Sequence, residues 1–560
     1  MRSITPLLIA LTAFAADGQT SPNPCAETGI NLSGLASWTS SWPFVDSFKI
    51  RRPWISGALD GSAWDDGRPV VTDAEDWVTS LLPNQRAHTL IHDNAGGHYP
   101  AGRYICLYEG QGQLHITADA QIVSQSPGRI EFDVTTPSDS GIWFQINATD
   151  PQDYIRNIQI IMPGFESTYQ IQQFHPEFLD SLRSFDVIRF MDWQNTNSTY
   201  NHSWMQRPKP SDGGYALGLG VPIEVMADLC NQLDADPWFC MSHRFDDHYV
   251  DQFAGLLHTL LEPERTVYVE HSNEVWNSIF NQYHYAVQRS SELGIPGDPF
   301  HAAMRYHSQR SVEIFDVWDN YFQPNHLVRV MGGWHANTWA TNQLLDWNNA
   351  HLHTDAFATA PYFGNYLGVG NNPNQTIQMT PDEIIDACIA DIAVQNQQSI
   401  DQFNTVNPYD LDLIAYESGQ HLVGVGNWAN NTQLTSLFIT ANRHPRMYDA
   451  YIDDISGWNR IGGGLMTAFA SCTTPTRYGS WGLLEFQNQP LSQAPKMRAW
   501  SDYNRDPADF NQDGNLDFFD ISAFLTAYSA ADPTADLSGD LIFDFFDISI
   551  LLQAFASECP

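Results

Sequence analysis

A central (β/α)8 barrel, preceded by an antiparallel β-sandwich and followed by a small helical calcium-loop module, is the multidomain architecture this sequence predicts. Three observations predict it. Apolar runs alternate with amphipathic helical stretches from about residue 155, the pattern of parallel β/α units. Before that point, short period-two strands are punctuated by Gly, Asn and Pro. After Arg505 an acidic motif occurs twice. With 560 residues, several units are expected. Their limits read as 1–16 for a signal peptide, 25–150 for the sandwich, 155–500 for the barrel and 506–556 for the tail.

The first element is the leader. Met1 and Arg2 precede the apolar stretch Leu7–Leu11, and Ala13, Phe14 and Ala15 make a small-residue cleavage site. Secretion or a cell-surface location follows as the expectation. No later run of about 18 apolar residues exists, so membrane insertion is not expected. Seven cysteines (25, 106, 230, 240, 388, 472 and 559) leave room for bridges with one thiol over, and show no paired zinc spacing. In the sandwich region, Arg103–Tyr108, Gln113–Thr117 and Gly128–Val134 read as strands, with a turn at Asn94–His98. Trp38, Trp42 and Trp54 read as core or interdomain packing rather than as a sugar platform.

Eight candidate barrel strands follow: Asn157–Met162, Asp186–Met191, Trp238–His243, Val267–Glu274, Leu327–Trp334, Ala356–Tyr362, Leu413–Glu417 and Gly464–Ala470. Between them, Glu177–Arg183, Ile223–Leu233, Gln252–Leu261 and Asp382–Asn396 read as helices. The fourth strand ends in Asn273 and Glu274, the seventh in Glu417. Strand ends of a β/α barrel converge on one mouth. Two carboxyl groups facing one cleft are what glycosidic cleavage requires.

Charge narrows the ligand. The net charge is −39, which repels nucleic acid and anionic membranes and suits a neutral substrate. The 18 Trp and 22 Tyr suit sugar faces as well as core packing.

These strand-end residues resemble the large clan of retaining (β/α)8 glycoside hydrolases that includes cellulases, mannanases and xylanases. The resemblance covers roughly residues 155–490. It implies Glu274 as acid/base, Glu417 as nucleophile and Asn273 as the partner of a sugar 2-hydroxyl. It also implies that Arg189 keeps the nucleophile ionised, that His243 and Tyr362 bind or steady the site, and that Trp481 floors the sugar. His335 and the pair Asp192 and Trp193 are further cleft candidates. His351 and His353 read as a surface loop, with no third metal ligand nearby. The implied reaction is double displacement on a β-linked polysaccharide. The alternative is a non-catalytic carbohydrate-binding or surface-assembly protein on a degenerate barrel.

In the tail, Asp509, Asn511, Asp513, Asn515, Asp517 and Asp520 set oxygen side chains along one acidic loop. Asp536, Ser538, Asp540, Asp544 and Asp547 repeat the pattern 27 residues on. Positions 1, 3, 5, 9 and 12 of each loop match the calcium arrangement, with a helix following. Leu541 replaces the turn glycine of the second loop and Ser538 weakens its third position. Two such loop-helix halves resemble a dockerin, which implies Ca2+ as a structural cofactor and a cohesin-like protein as partner.

Overall fold

A computed structural model describes residues 27–199 and 203–504, and in the tail 508, 510–511, 518–530, 532–535, 537 and 542–556. The leader and both terminal cysteines lie outside the described residues. The described residues fall in two compact units, divided at Asn504.

The larger unit is built on a closed barrel of eight parallel strands. They are β1 (Thr28–Asn31), β2 (Val187–Arg189), β3 (Asp236–Met241), β4 (Val267–His271), β5 (Leu327–Gly332), β6 (Ala356–Thr359), β7 (Asp412–Ala415) and β8 (Met466–Ala468). Period-two alternation sorts each strand. On β4, Val267 and Val269 join the apolar layer under the helices, while Tyr268 joins Trp238, Val330, Ile414 and Tyr416 inside the barrel. The predicted helix Ile223–Leu233 is found at those limits, and Pro381–Val406 extends the one expected from Asp382.

One strand expectation is overturned. Arg156–Ile161 is not the first barrel strand; it pairs antiparallel with Gly102–Glu109. The barrel begins earlier, at Thr28, whose strand closes the ring between β2 and β8. The sequence misleads for a physical reason. Ile158, Ile160 and Ile161 mimic a strand buried on both faces, whereas β1 has a single large apolar residue. Its smallness is required: a Cβ on Gly29 would stand 2.7 Å from Thr467 Oγ1.

The barrel therefore encloses an insertion, and the expected limits 25–150 and 155–500 do not hold. Between β1 and β2 lie two four-stranded antiparallel sheets. One consists of Ile55–Ala58, Gln85–Ile91, Ile142–Thr149 and Gly112–Ala118; the other of Arg156–Ile161, Gly102–Glu109, Arg129–Val134 and Ala120–Ser126. Their buried residues, among them Phe132 and Phe144, belong to the same apolar cluster as Phe44, Phe174 and Trp193. Trp42 is buried and donates from Nε1 to the His98 carbonyl. Trp54 lies beneath the Arg51 guanidinium. Trp38 is exposed.

Cysteine usage also departs from expectation. Cys106, Cys230, Cys240, Cys388 and Cys472 are all buried and unbridged, so no disulfide joins the described residues. They pack as small apolar side chains.

Candidate active site

The site is built around Arg189, the last residue of β2 and fully buried. Nη1 donates to Asn31 Oδ1 at 2.9 Å and to Glu417 Oε1 at 3.1 Å. Nη2 donates to Glu270 Oε2 at 2.8 Å and to Asn273 Oδ1 at 3.0 Å. One planar guanidinium thus ties together the ends of β1, β4 and β7. Its fork geometry suits this, since each terminal nitrogen serves two acceptors.

Glu274 and Glu417 both open on this network. Glu417 also accepts from the Tyr362 hydroxyl at 3.0 Å. Glu274 accepts from Asn277 Nδ2 at 2.8 Å and more distantly from the Tyr416 hydroxyl at 3.4 Å. The backbone that presents Glu274 is strained: Ser272 and Glu274 have φ of 62° and 43°. Such left-handed residues cost roughly 1–3 kcal/mol each and persist where the surroundings enforce them. Enforcement comes from Gln282 Nε2, which donates to the Asn273 carbonyl at 2.6 Å, and from Arg189 on the Asn273 amide.

Electrostatics departs from the sequence reading. Arg189 was expected to hold Glu417 low, yet its single charge is divided between Glu270 and Glu417. Burial pushes the Glu417 carboxyl up to about 8, with Arg189 opposing and the charge of Glu274 adding. Burial raises Glu274 as well, against its bonds from Asn277 and Tyr416. The two carboxyls therefore titrate as a pair that retains one proton near neutrality. The donors around Glu417 favour its anion more than those around Glu274 do. Glu417 has a guanidinium and a phenol solvating its anion, whereas Glu274 has one amide donor and a long phenol contact. Burial keeps Tyr362 and Tyr416 protonated far above their ordinary range, so both remain donors.

The other expected residues sort as follows. Trp481, partly exposed, meets Tyr362 edge-on at 5.8 Å, Phe469 at 5.7 Å and His421 at 5.0 Å. His243 is buried against Tyr285, its Nδ1 without a protein partner, and burial lowers it to about 4. His335 pairs Nδ1 with Thr359 Oγ1 and is likewise neutral. Asp192, raised to about 6 by burial, stays partly accessible. Trp193 does not line the cleft: it is buried against Phe44 and Phe178, with Nε1 donating to the Ser33 carbonyl.

Sequence reasoning missed Asn31, Glu270 and Tyr416. Asn31 was hidden by the misplaced first strand. Glu270 was findable, because alternation from Tyr268 points it inward. There it accepts from Trp238 Nε1 at 3.1 Å. Trp276, two residues past Glu274, was also missed; it stacks on Trp334 at 5.2 Å with rings 2° from parallel, and donates to Tyr416.

In the tail, most expected calcium ligands (Asp509, Asp513, Asn515, Asp517, Asp536, Ser538 and Asp540) lie outside the described residues. Asp520 and Asp547, the twelfth positions, are buried in the first turns of Phe518–Ser529 and Phe545–Ala556. Asp520 Oδ1 accepts from the Asn511 backbone N–H, and Asp547 Oδ2 from that of Asp544.

No family model matches the chain, and no curated protein does. Solved structures that align with this chain include a rhamnosyl-glucuronidase from Fusarium oxysporum 12S (11% identity, TM-score 0.38, 62% of this chain and 67% of that one). Xylanase10C from Cellvibrio japonicus aligns over 81% of this chain and 97% of its own, at 10% identity and TM-score 0.34. An endo-1,4-β-mannanase from Thermotoga petrophila RKU-1 aligns over 58% and 93%, at 11% and 0.32. These are named as a glucuronidase, a xylanase and a mannanase; at such identities and scores they transfer no activity and no residue roles to this chain.

Proposed function

We propose that this protein is an exported retaining glycoside hydrolase that cleaves β-linked polysaccharide by double displacement. The observation that carries the reading is the Arg189 bridge, which joins Glu417 to Asn273, the neighbour of the half-buried Glu274, and so draws the ends of β7 and β4 to one mouth. Glu274, holding the proton, protonates the leaving oxygen. Glu417, as the anion, attacks the anomeric carbon and forms a glycosyl ester. Glu274 then takes a proton from water as that water cleaves the ester. Asn273, held at Oδ1 by Arg189 and donating from Nδ2 to Asn197 Oδ1 at 3.2 Å, has the second Nδ2 hydrogen for the sugar 2-hydroxyl, and Trp481 with Tyr362 floors the ring.

The tail is read as a dockerin-like anchor for a cohesin-like partner. Calcium, held by the two acidic loops, would supply folding free energy to the tail and takes no part in catalysis.

Reducing-sugar release across a panel of β-glucans, mannans and xylans tests the activity, with proton NMR of the first-formed anomer testing the stereochemistry. Glu274→Gln is expected to lose about 10²–10⁴-fold in kcat on the cleaved glycan. Glu417→Ala is expected to be inactive and to regain turnover with azide, yielding the glycosyl azide of inverted configuration. An inverted first product from the parent enzyme would remove double displacement. No release from any glycan would remove the hydrolase reading.

A further inference from the structure

One face of the inserted sheet Ile55–Ala58, Gln85–Ile91, Ile142–Thr149 and Gly112–Ala118 is unlike the outer face of an ordinary antiparallel sheet. Its inner face is apolar, with Ala87, Ile91, Phe144, Ile146 and Ile116 in the core. The opposite parity carries Arg86, His88, Trp143, Gln145 and Thr117. Register sets Gln145 opposite His88 on one side and Trp143 opposite Thr117 on the other.

Trp64, from the loop after Ala58, lies over this face. Its ring stands 4.4 Å from that of His88 and 4.6 Å from that of Trp143, yet 45% of the residue is exposed. The Arg86 guanidinium sits 4.8 Å over the Trp143 ring. Gln145 donates to Thr117 Oγ1 at 3.2 Å and accepts from Arg86 at 3.4 Å. Gly57 makes the arrangement possible, because a Cβ there would stand 2.6 Å from the Trp64 carbonyl oxygen and 2.9 Å from His88 Cε1.

Hydrogen-bonding capacity is left over at the same place. Both ring nitrogens of the fully buried His88, Nε of Arg86, Nε1 of Trp143 and Oδ1 of Asn147 have no protein partner. Buried polar atoms are normally paired, and a local group of unpaired ones marks where something else binds. Flat aromatic rings beside free donors and acceptors match the alternating C–H faces and hydroxyls of a sugar chain. The net charge of −39 disfavours a polyanion.

We propose that this sheet face is a second glycan site, built from residues outside the barrel cleft. It takes a neutral β-linked polysaccharide, with Trp64 and Trp143 as platform and Arg86 and Asn147 as hydroxyl partners. The choice of ligand class rests on the glycosidase reading; the site's geometry does not. Such a site holds polymer near the barrel and raises its effective concentration there.

The test is retardation of the full-length protein in native gels containing β-glucan, mannan or xylan, with polygalacturonate as the anionic arm. It is run in a Glu417→Gln background so that the glycan survives. Trp64→Ala is expected to weaken retention on the neutral glycan about tenfold, as loss of an aromatic anchor does. Trp143→Ala should match it, and melting temperatures report whether each variant is folded. If Trp143→Ala does not fold, Trp64→Ala and Gly57→Ala carry the test. Unchanged retention in the folded variants, or retention only on polygalacturonate, overturns the proposal. Trp64-dependent retention by a chain that hydrolyses nothing keeps this site and removes the glycosidase reading. Hydrolysis with Trp64-independent retention does the reverse.

Discussion

Arg189 places one positive charge among Glu270, Glu417 and the nearby Glu274, and that imbalance sets the chemistry. Because burial pushes Glu417 up to about 8, the singly protonated pair is the dominant form at neutral pH and loses its last proton as pH rises through that value. A plot of kcat/KM against pH should therefore fall on its basic side near pH 8; a basic limb below pH 6 would contradict the assignment. The same shift acts on stability. An unfolded Glu ionises near 4.3 while the folded pair keeps one proton far longer, so the pair's stabilising contribution is complete below that pH and is lost as pH rises toward 8. At this scale much of the site was legible. Asn273, Glu274 and Glu417 ended apolar runs, and Arg189 sat within one. What was not legible was how many carboxyls would divide one guanidinium, since that depends on which side chains face inward at the same height.

Among the elements, the contact of β4 with the helix Pro299–Trp318 has its own pH response. His271 and His307 meet Nδ1 to Nδ1 at 2.8 Å, and His307 Nε2 faces the Gly332 carbonyl at 3.0 Å. His307 therefore donates from Nε2 and accepts at Nδ1, with His271 as donor and both rings neutral. Burial lowers His307 to about 4 and His271 well below its ordinary value. Unfolded histidines take up protons below about pH 6.5, so stability present at neutrality is lost as pH falls through the window from 6.5 to 4. The urea midpoint should drop between pH 7 and pH 4.5, and His307→Gln should shrink that drop by about 1–3 kcal/mol. An unaltered drop would exclude the pair as its source. Past the end of β4, Trp276, two residues beyond Glu274, stacks on Trp334, and Trp334 is 37% exposed. Trp334→Ala should raise KM on polymer several-fold with kcat little changed, since an exposed ring binds substrate and transition state alike. A loss confined to kcat would refute the subsite.

For the whole molecule, 65 acidic against 26 basic residues make self-repulsion the dominant long-range force. Adding NaCl from about 10 mM to about 0.5 M shortens the screening length from roughly 30 Å to under 5 Å. The melting temperature of the larger unit should rise accordingly; a fall would show that ion pairs outweigh the net charge. Calcium should raise the helical signal or the protease resistance of residues 506–556 and leave the larger unit unaffected. A tail indifferent to calcium and to chelator would end the dockerin-like reading.

Seven of the eight barrel strands, the parallel β/α texture and the positions of the two strand-end glutamates followed from composition and periodicity, because buried parallel strands must be apolar and their ends must turn polar. The eighth strand did not, because Thr28–Asn31 is defined by what it fits between rather than by its own hydrophobicity. Only the tertiary structure revealed that the two antiparallel sheets are an insertion within the barrel, that Asn31 and Glu270 share Arg189, and that Trp64 covers His88. Each of these depends on contacts between segments far apart in the chain, where local pattern carries no signal.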